Sequence, residues 1–544
     1  MTKESEYTLA VVDAETDPFL YGRKPLPFAW GLFDGLNYFE FWGQGETRDE
    51  QSDNCTDALI EKLNSIKSPL RIYAHNGGKF DFFYLLEKGV ITDPVKIING
   101  RIVSARIGIH EIRDSYAILP VPLAAYQKDK IDYNLFEFDK REKHKADILH
   151  YLASDCEYLY ELVHAFVERF GYGLTIGGTA IKQLKKMHPF KAQNDTHDER
   201  FRPYYFGGRV QCFEKGIFKR PLKYCDVNSM YPDVMANKHH PTGKDYILLY
   251  ENDLDAQFYK TGIIKDYPFN PYFITFKGWH NGAFCSRTDK GLNFETCEGE
   301  FKTMSHELQI ALKYNLVRID SISEIFIPRE TIQFSDYVHT FIADKIQAKK
   351  DGDKTKELFS KLLLNSSYGK FGQNPANFYD WVFRYPGEPF YNFKEWELFL
   401  DAGFVELWRR PAPKPVYYDV ATAASITSAA RAVLLEAIVN STNPLYCDTD
   451  SLICEDLQNV NIDSFKLGAW DIEATGNELH LAGKKLYCLF NNGKVVKQAS
   501  KGAKLTPGQI SDICRGEEIE WRNMAPNFKF DGTTNFVKRT IKMI

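Results

Sequence analysis

The chain has 544 residues, 44% hydrophobic and 26% charged, ordinary values for a folded globular protein and enough for roughly three or four domain-sized units. A formal net charge of −5 excludes a uniformly basic nucleic-acid binder but not local basic patches that acidic sites offset. The ten cysteines form no CxxC pair, "MTKESEYTLAVV" has no signal-peptide pattern, and no apolar run is expected to reach the roughly 18 residues that span a bilayer, so free thiols and a reducing, cytoplasmic setting are expected.

The first 170 residues alternate extended and helical patterns: "YTLAVVDAET", "CTDALIEKLNSI", "RIYAHNGG", "FDFFYLLEKG", "RIVSARIG" and "HEIRDSY". The amphipathic run "KADILHYLASDCEYLYELVHAFVERF" closes this block as one long helix, which predicts a layered α/β domain. "GYGLTIGGTAIKQLKKM" and "RPYYFGGRV" read as Gly-rich, basic connectors. "PLKYCDVNSMYP" predicts a strand, and "FSDYVHTFIADKIQAKK" and "KTKELFSKLLLNSSYG" predict two helices whose short joint, "DGD", favours a helical hairpin. Residues 373 to about 415 are rich in Pro, Gly and aromatics, predicting a long irregular insertion whose aromatics argue against disorder. "RAVLLEAIVNSTNP" predicts a helix ending at Pro444, and "SLICEDL" a short strand.

Two groups of acids stand out. In "VVDAETD", Asp13 and Glu15 share one face of a strand; in "NGGKFDFF", a Gly-Gly turn delivers Asn76, Phe80 and Asp81; in "YLASD", Tyr151 and Asp155 lie one helical turn apart. Singly these read as a solvated strand end, a helix cap and a solvated helix face. Together the four acids can hold two Mg²⁺ ions around a scissile phosphate, with Tyr151 orienting the attacking water. The second group is Asp226 in "YCDVNSMYP" with Asp448 and Asp450 in "YCDTDS". Between the expected helix and strand, Asp448 and Asp450 sit at or beside a tight strand turn, and because residues two apart on extended backbone point the same way they are expected to share one small volume. Unit charges about 4 Å apart repel by about 4 kcal/mol at an effective dielectric near 20, so metals and a triphosphate would relieve them, and Asp448→Asn would stabilise the metal-free protein. Lys361, Asn365 and Tyr368 fall on one helix face, a cation and a flat ring suited to a triphosphate and a base, or equally a surface lysine beside a partly buried ring.

"DVNSMYP", "KLLLNSSYG" and "YCDTDS" resemble motifs A, B and C of family B DNA polymerases, and "DAE", "NGGKFD" and "YLASD" resemble the three motifs of their proofreading exonuclease, in the same order. "YFGG" (Tyr205 to Gly208) and "KLY" (Lys485 to Tyr487) resemble the YxGG and KxY motifs of the protein-primed branch found in phages and linear plasmids. The resemblance implies an α/β multidomain fold, an RNase H-like 3′–5′ exonuclease followed by a right-hand polymerase with two palm insertions. Its implied boundaries are exonuclease 1–185, palm 186–240, a first insertion contacting a terminal protein at 241–336, and fingers 337–372. They continue with a second insertion for strand displacement and processivity at 373–412, palm 413–502 and thumb 503–544.

Carried over by resemblance, Asp226, the Val227 backbone and Asp448 hold the polymerase metals with Asp450 beside them. Tyr231 excludes a 2′-hydroxyl, Lys349 and Lys361 bind the triphosphate, and Asn365 and Tyr368 shape the nascent pair. Tyr205, Gly207, Gly208, Thr449, Lys485, Tyr487 and Lys501 contact DNA. In the exonuclease Asp13, Glu15, Asp81 and Asp155 hold metals, Lys128 and Tyr151 assist, and Thr16, Asn76, Phe80, Ser115 and Tyr133 bind the frayed strand. The implied cofactor is Mg²⁺, two per active site, with Mn²⁺ able to substitute. The implied partners are template and primer DNA, deoxynucleotides and a terminal protein, with the enzyme a monomer away from membranes. The sequence departs from the pattern at Tyr116, where Leu is common, at Met230, and at Glu357, where relatives carry a second phosphate-binding Lys that Lys354 or Lys356 could replace. The Lys-rich C-terminal segment is expected to clamp the duplex. The alternatives are a same-family polymerase using ordinary or self-made primers, and a non-catalytic DNA-binding scaffold.

Overall fold

The computed structural model describes residues 7–189, 195–250, 271–289, 291–388, 393–412 and 419–543. Parts of both expected insertions (251–270, 290 and 389–392) and of the "RRPAPKPVYY" run (413–418) lie outside them.

The N-terminal layer is built on Thr8–Thr16, which pairs antiparallel with Pro27–Phe33 and parallel with Leu70–Ala74; that strand in turn runs parallel to His110–Asp114. Leu9 to Val12 are buried on both faces, as a central strand covered by helices requires. Helix Lys145–Phe170 packs across the sheet where expected, burying Ile148, Leu152, Leu159 and Phe166. Helix Arg48–Ser65 starts seven residues before the expected run, because Thr47 and Glu50 form a capping box.

The irregular insertion expected at 373–415 is instead largely strand. Tyr379–Arg384, Glu397–Asp401 and Glu406–Pro411 extend the N-terminal sheet to ten strands, joined to Thr92–Ile98 by the Trp381–Val95 pair. Alternation in "YDWVFR" is the signal that Pro and Gly in the surrounding sequence obscured. The expected Gly-rich connector 171–187 contains helix Ile176–Met187, whose first turn Thr175 caps through Gly178 N.

The second layer is a five-stranded antiparallel sheet in the order Trp470–Gly476, Leu222–Val227, Ser451–Cys454, Tyr446–Asp448, Val210–Cys212. Helix Val420–Val439 backs it and ends at Asn440, four residues before the expected stop, the following Ser441–Thr442 already pairing as strand. It is long and apolar enough to cross a membrane by length and composition, contrary to the expected absence of such a run, and 78% of that window is buried inside the protein. The two helices joined at 351–353 form the expected hairpin, Ser335–Asp351 against Lys354–Ser366, with Gly352 at φ +72° in the turn and Asp353 capping the second helix. Phe359 on that hairpin meets Phe166 edge to face at 5.3 Å, so one hydrophobic core runs from the N-terminal layer into the hairpin.

One buried ion pair ties distant segments together. Arg431, on helix Val420–Val439, binds Glu307 through Nε (2.8 Å) and Nη2 (2.6 Å), both side chains 3% exposed. Its Nη1 donates to the carbonyls of Phe206 and Gly207 at 2.7 and 2.8 Å. Glu307 belongs to helix Ser305–Lys313, which accompanies a four-stranded sheet of His240–Tyr250, Val317–Ile332, Phe273–His280 and Cys297–Met304. Removing one partner strands the other as an uncompensated buried charge. Glu307→Ala is expected to lower stability by about 3–5 kcal/mol in a denaturant titration; a loss below about 1 kcal/mol would show that the pair does not hold these segments.

Candidate active sites

The first site lies at the end of strand Thr8–Thr16. Ligand atoms of Asp13, Glu15 and Asp155 all lie within 4.8 Å of one another. The expected solvated helix face is wrong for both residues of "YLASD", since Tyr151 and Asp155 are buried at 3% and 2% exposure. Nor is Asp81 a cap: helix Asp81–Glu87 is capped at Phe80 without a side-chain bond, and the Asp81 carboxyl is buried. Burial, and then the charge of Asp155, pushes the Asp13 carboxyl up to about 7. Burial and next the Asp13 charge hold Glu15 and Asp81 well above the usual carboxylate range. Lys128 reaches into the cluster, its Nζ 2.8 Å from Asp155 Oδ2. Burial opposes its charge, but Asp155 and then Asp13 win and hold the ammonium above its ordinary value. Asp155 Oδ1 is buried with no hydrogen-bond partner among the described residues. An acceptor with no donor beside carboxyls that resist ionisation fits a hard divalent cation with oxygen ligands. Tyr151 OH meets Tyr133 OH at 2.9 Å.

Asn76 sits at φ +65° and accepts from Arg101 Nη2 at 3.0 Å, while Asp114, fully buried, binds Arg101 and the Gly78 amide. Gly78 is required there: a Cβ would lie 2.1 Å from the Ile102 carbonyl. Thr16, largely buried, donates to the Asp17 carbonyl and borders the cleft. Ser115, expected on the DNA strand, has no exposed surface. Its hydroxyl serves His75 Nδ1 (3.0 Å) and the Ala74 carbonyl (3.2 Å), so it orients a histidine that lines the cleft. His75, held neutral by burial with its pKa lowered to about 4, escaped the sequence reading because one histidine beside a Gly-Gly turn carries no pattern.

The second site lies on the five-stranded sheet. The tight turn expected at "YCDTDS" is present: Asp448 ends one strand, Thr449 turns at φ +61°, and Ser451, paired with Asp448, opens the next. The turn faces Asp226, which pairs with Ser451, and Val227 N donates to the Asp450 carbonyl at 2.9 Å. Burial, then the charge of Asp450, then that of Glu473 push Asp226 up to about 7; burial, with Asp448 adding, pushes Asp450 to about 6. Asp448 is different. Lys485 Nζ grips its two oxygens at 2.5 and 2.6 Å, and Tyr446 OH donates to Oδ2 at 3.0 Å. Lys485 is thus engaged by a carboxylate of the site, and Tyr487, expected on the primer strand, is 4% exposed between Tyr224 and Tyr446. The Tyr446 hydroxyl it packs beside accepts from the Lys485 amide at 3.0 Å and so positions the Lys485 turn. Lys501 is exposed and donates its backbone amide to the Lys485 carbonyl.

Tyr231 and Tyr368 stack at 4.2 Å with an interplanar angle of 4°. Gly208 lets Tyr231 and Thr449 approach, since a Cβ there would lie 3.0 Å from both Tyr231 OH and Thr449 Cγ2. Arg431 holds the Phe206 and Gly207 carbonyls and Arg287 that of Tyr205. On the helical hairpin Lys349, Lys361 and Asn365 are exposed, and Tyr368 starts a further helical turn beyond Ser367. Lys345 was missed: burial and then the charge of Lys361 lower its pKa, with Glu357 opposing and Lys349 adding, so its ammonium feels both of those lysines of the hairpin. Its i, i+4 spacing to Lys349 was the available signal. Glu473, joined to Lys497 at 2.5 Å, was also missed; its two-residue spacing from Asp471 in "WDIEA" was the signal.

The sequence model of the family described as DNA polymerase type B, organellar and viral, matches residues 121–395. The chain is 42% identical over 572 aligned positions to the DNA-directed DNA polymerase of Enterobacteria phage PRD1, covering 99% of both chains. The chain belongs to this polymerase family. It is also 25% identical to the DNA polymerase of Bacillus phage Nf over 407 positions, covering 69% of this chain and 67% of that one. In architecture it is similar to phi29 DNA polymerase complexed with primer-template DNA and incoming nucleotide substrates, with a TM-score of 0.70 and 17% identity over 98% of this chain and 100% of that one. The polymerase thus has the expected multidomain fold, an exonuclease-type domain followed by palm, fingers and thumb. The Lys-rich end of this polymerase is partly neutralised, with Lys538 on Glu520 and Lys542 on Glu518.

Asp226 and Asp448 predict opposite stability effects. Asp226 binds its proton more tightly folded, at about 7, than unfolded, near 4, so its contribution is stabilising below about 4 and is lost as pH rises toward 7. Asp226→Asn is expected to raise the melting temperature of the metal-free polymerase at pH 8, with a smaller gain at pH 5, whereas Asp448→Asn gives up the Lys485 pair and lowers it. This reverses the stabilisation that sequence spacing predicts for Asp448→Asn. Thermal melts in EDTA check it, and an Asp226→Asn variant no more stable than wild type at pH 8 would refute the assignment.

Proposed function

We propose that this DNA-directed DNA polymerase extends DNA by templated nucleotidyl transfer, excises misincorporated nucleotides from the 3′ end, starts from a terminal protein and displaces the strand ahead. The observation that supports this best is the presence of two separate carboxylate groups in which Asp13, Glu15 and Asp81, and Asp226 and Asp450, resist ionisation without cations. The proposed units follow the sequence boundaries: exonuclease 1–185, palm 186–240 and 413–502, fingers 337–372, thumb 503–544. The segment 241–336 would meet the terminal protein and 373–412 would support strand displacement.

Asp226, Asp448, Asp450 and the Val227 carbonyl would hold cations at the palm, and Asp13, Glu15, Asp81 and Asp155 at the second site. When bound, Mg²⁺ or Mn²⁺ supplies activation of the attacking oxygen and neutralises phosphate charge. The chain does the rest. Lys345, Lys349 and Lys361 draw in the triphosphate and fix it for in-line attack, a contribution of position and charge. Tyr231, braced by Tyr368, places its ring under the sugar, where a 2′-hydroxyl would collide. Asn365 and Tyr368 shape the pair, Tyr205, Gly207, Gly208 and Thr449 guide the template and primer, and Lys501 takes a phosphate. At the second site Tyr151, kept as a hydroxyl by burial and its bond to Tyr133, orients the attacking water, and Lys128 steadies Asp155. Asn76, Phe80, Thr16 and Tyr133 border the space for a frayed strand.

Extension of a labelled primer on single-stranded circular template with Mg²⁺ tests the two sites together. Wild type is expected to give full-length and displaced product, Asp448→Ala none, and Asp81→Ala normal synthesis without 3′ degradation. Synthesis surviving in Asp448→Ala, or degradation surviving in Asp81→Ala, would overturn the corresponding site. Tyr231→Val is expected to admit ribonucleotides far more readily, and undiminished sugar discrimination would remove Tyr231 from that role. Covalent transfer of a labelled deoxynucleotide to a partner protein is the measurement that separates protein priming from ordinary primers.

A further inference from the structure

Two adjoining cavities, of about 540 and 620 Å³, meet at Asp13, and one side chain with no assigned role stands at their junction. Phe19 borders both, sits edge-on to Phe80 at 5.5 Å between centroids, and is 43% exposed. Its neighbours Leu20 and Tyr21 are 46% and 37% exposed, an apolar tip of a kind that ordinarily folds inward.

This tip is held rigidly. Below it Asp17, 1% exposed, accepts from Arg48 Nε at 2.8 Å, Arg141 Nη1 at 3.0 Å and the Leu26 amide at 3.0 Å. Across its base Arg23 donates to the Pro18 carbonyl at 2.6 Å and to both oxygens of Glu137 at 2.9 and 3.1 Å. Phe528, packed on the far side of Phe80 at 5.1 Å, is 7% exposed and serves as support. Phe19 therefore presents an available aromatic face at the junction of the two cavities, while the exposed Tyr133 lines one of them. Ammonium groups flank it, Lys79 and Lys529 in one cavity and Lys128 in the other. A fixed ring between cations, beside an acid cluster, suits a single-stranded nucleic acid, with bases on the ring and phosphates on the ammoniums.

We propose that Phe19 is a base-stacking residue of the exonuclease cleft, holding one of the last unpaired bases of the 3′ strand against the Phe80 side of the site. The proposal rests on the exonuclease reading above and adds a positioning role for the segment 17–23. Because the ring orders the strand without touching the reacting phosphate, its loss should raise KM more than it lowers kcat.

Degradation of a single-stranded oligonucleotide with Mg²⁺ provides the first test. Phe19→Ala is expected to lower kcat/KM about tenfold, Phe19→Tyr to restore it, and an oligonucleotide whose last three nucleotides are abasic to be degraded equally by wild type and Phe19→Ala. Melting temperature and extension of a matched primer should not change. Photocrosslinking of an oligonucleotide carrying 5-iododeoxyuridine near its 3′ end, in EDTA, should map to Phe19. Phe19→Ala degrading normal ends at the wild-type rate, or crosslinks found only outside residues 17–23, would overturn the proposal. Wild-type protein that degrades no 3′ end would instead overturn the exonuclease reading, and this proposal with it.

Discussion

Carboxylates gathered in a low-dielectric cleft repel one another, and every element near the two acid groups is arranged around that repulsion. Each group has one lysine pressed against one acid: Lys128 on Asp155 and Lys485 on Asp448. Burial first, and then the charge of a neighbouring acid, move Asp13 and Asp226 both to about 7. A group poised near neutrality gives up its proton to an arriving divalent cation at little cost. The lysines hold the geometry while the other acids keep the capacity to bind.

The polymerase-type site is assembled from segments far apart in the chain, and Arg431 is the hub. Its guanidinium has five N–H donors in a fixed fork, and here they reach Glu307 and two consecutive carbonyls of the "YFGG" segment. That fixes Gly208 where its missing side chain lets Tyr231 and Thr449 approach. A lysine in its place could not span these partners. The helix carrying Arg431 is otherwise so apolar that a charge in its middle would be untenable without Glu307.

Much of this was readable in sequence because the chemistry demands acids at defined spacings. The strand of Asp13 and Glu15, the helix of Tyr151 and Asp155 and the fingers-type hairpin all follow from periodicity. The turn carrying Asp448 and Asp450 was legible as well; what periodicity could not supply was the single positive φ at Thr449 that makes it. It also could not supply the partners of Ser115 and Tyr487, which are burial effects set by tertiary packing. Arg431 was invisible because a lone arginine in an apolar helix has no local signature, and the strands of 379–411 were hidden by Pro and Gly that belong to the loops between them.

Chain order and mechanical order part company at the Trp381–Val95 pair. The strands of residues 379–411 come late in the sequence, yet they hydrogen-bond into a sheet begun by the first forty residues. A fragment cut after the N-terminal unit would leave strand Thr92–Ile98 with an open row of amides and carbonyls. Such an edge is a template for pairing with another copy. The late insertion thus acts as a built-in cover for the early domain, and the solubility of that domain belongs to the whole chain.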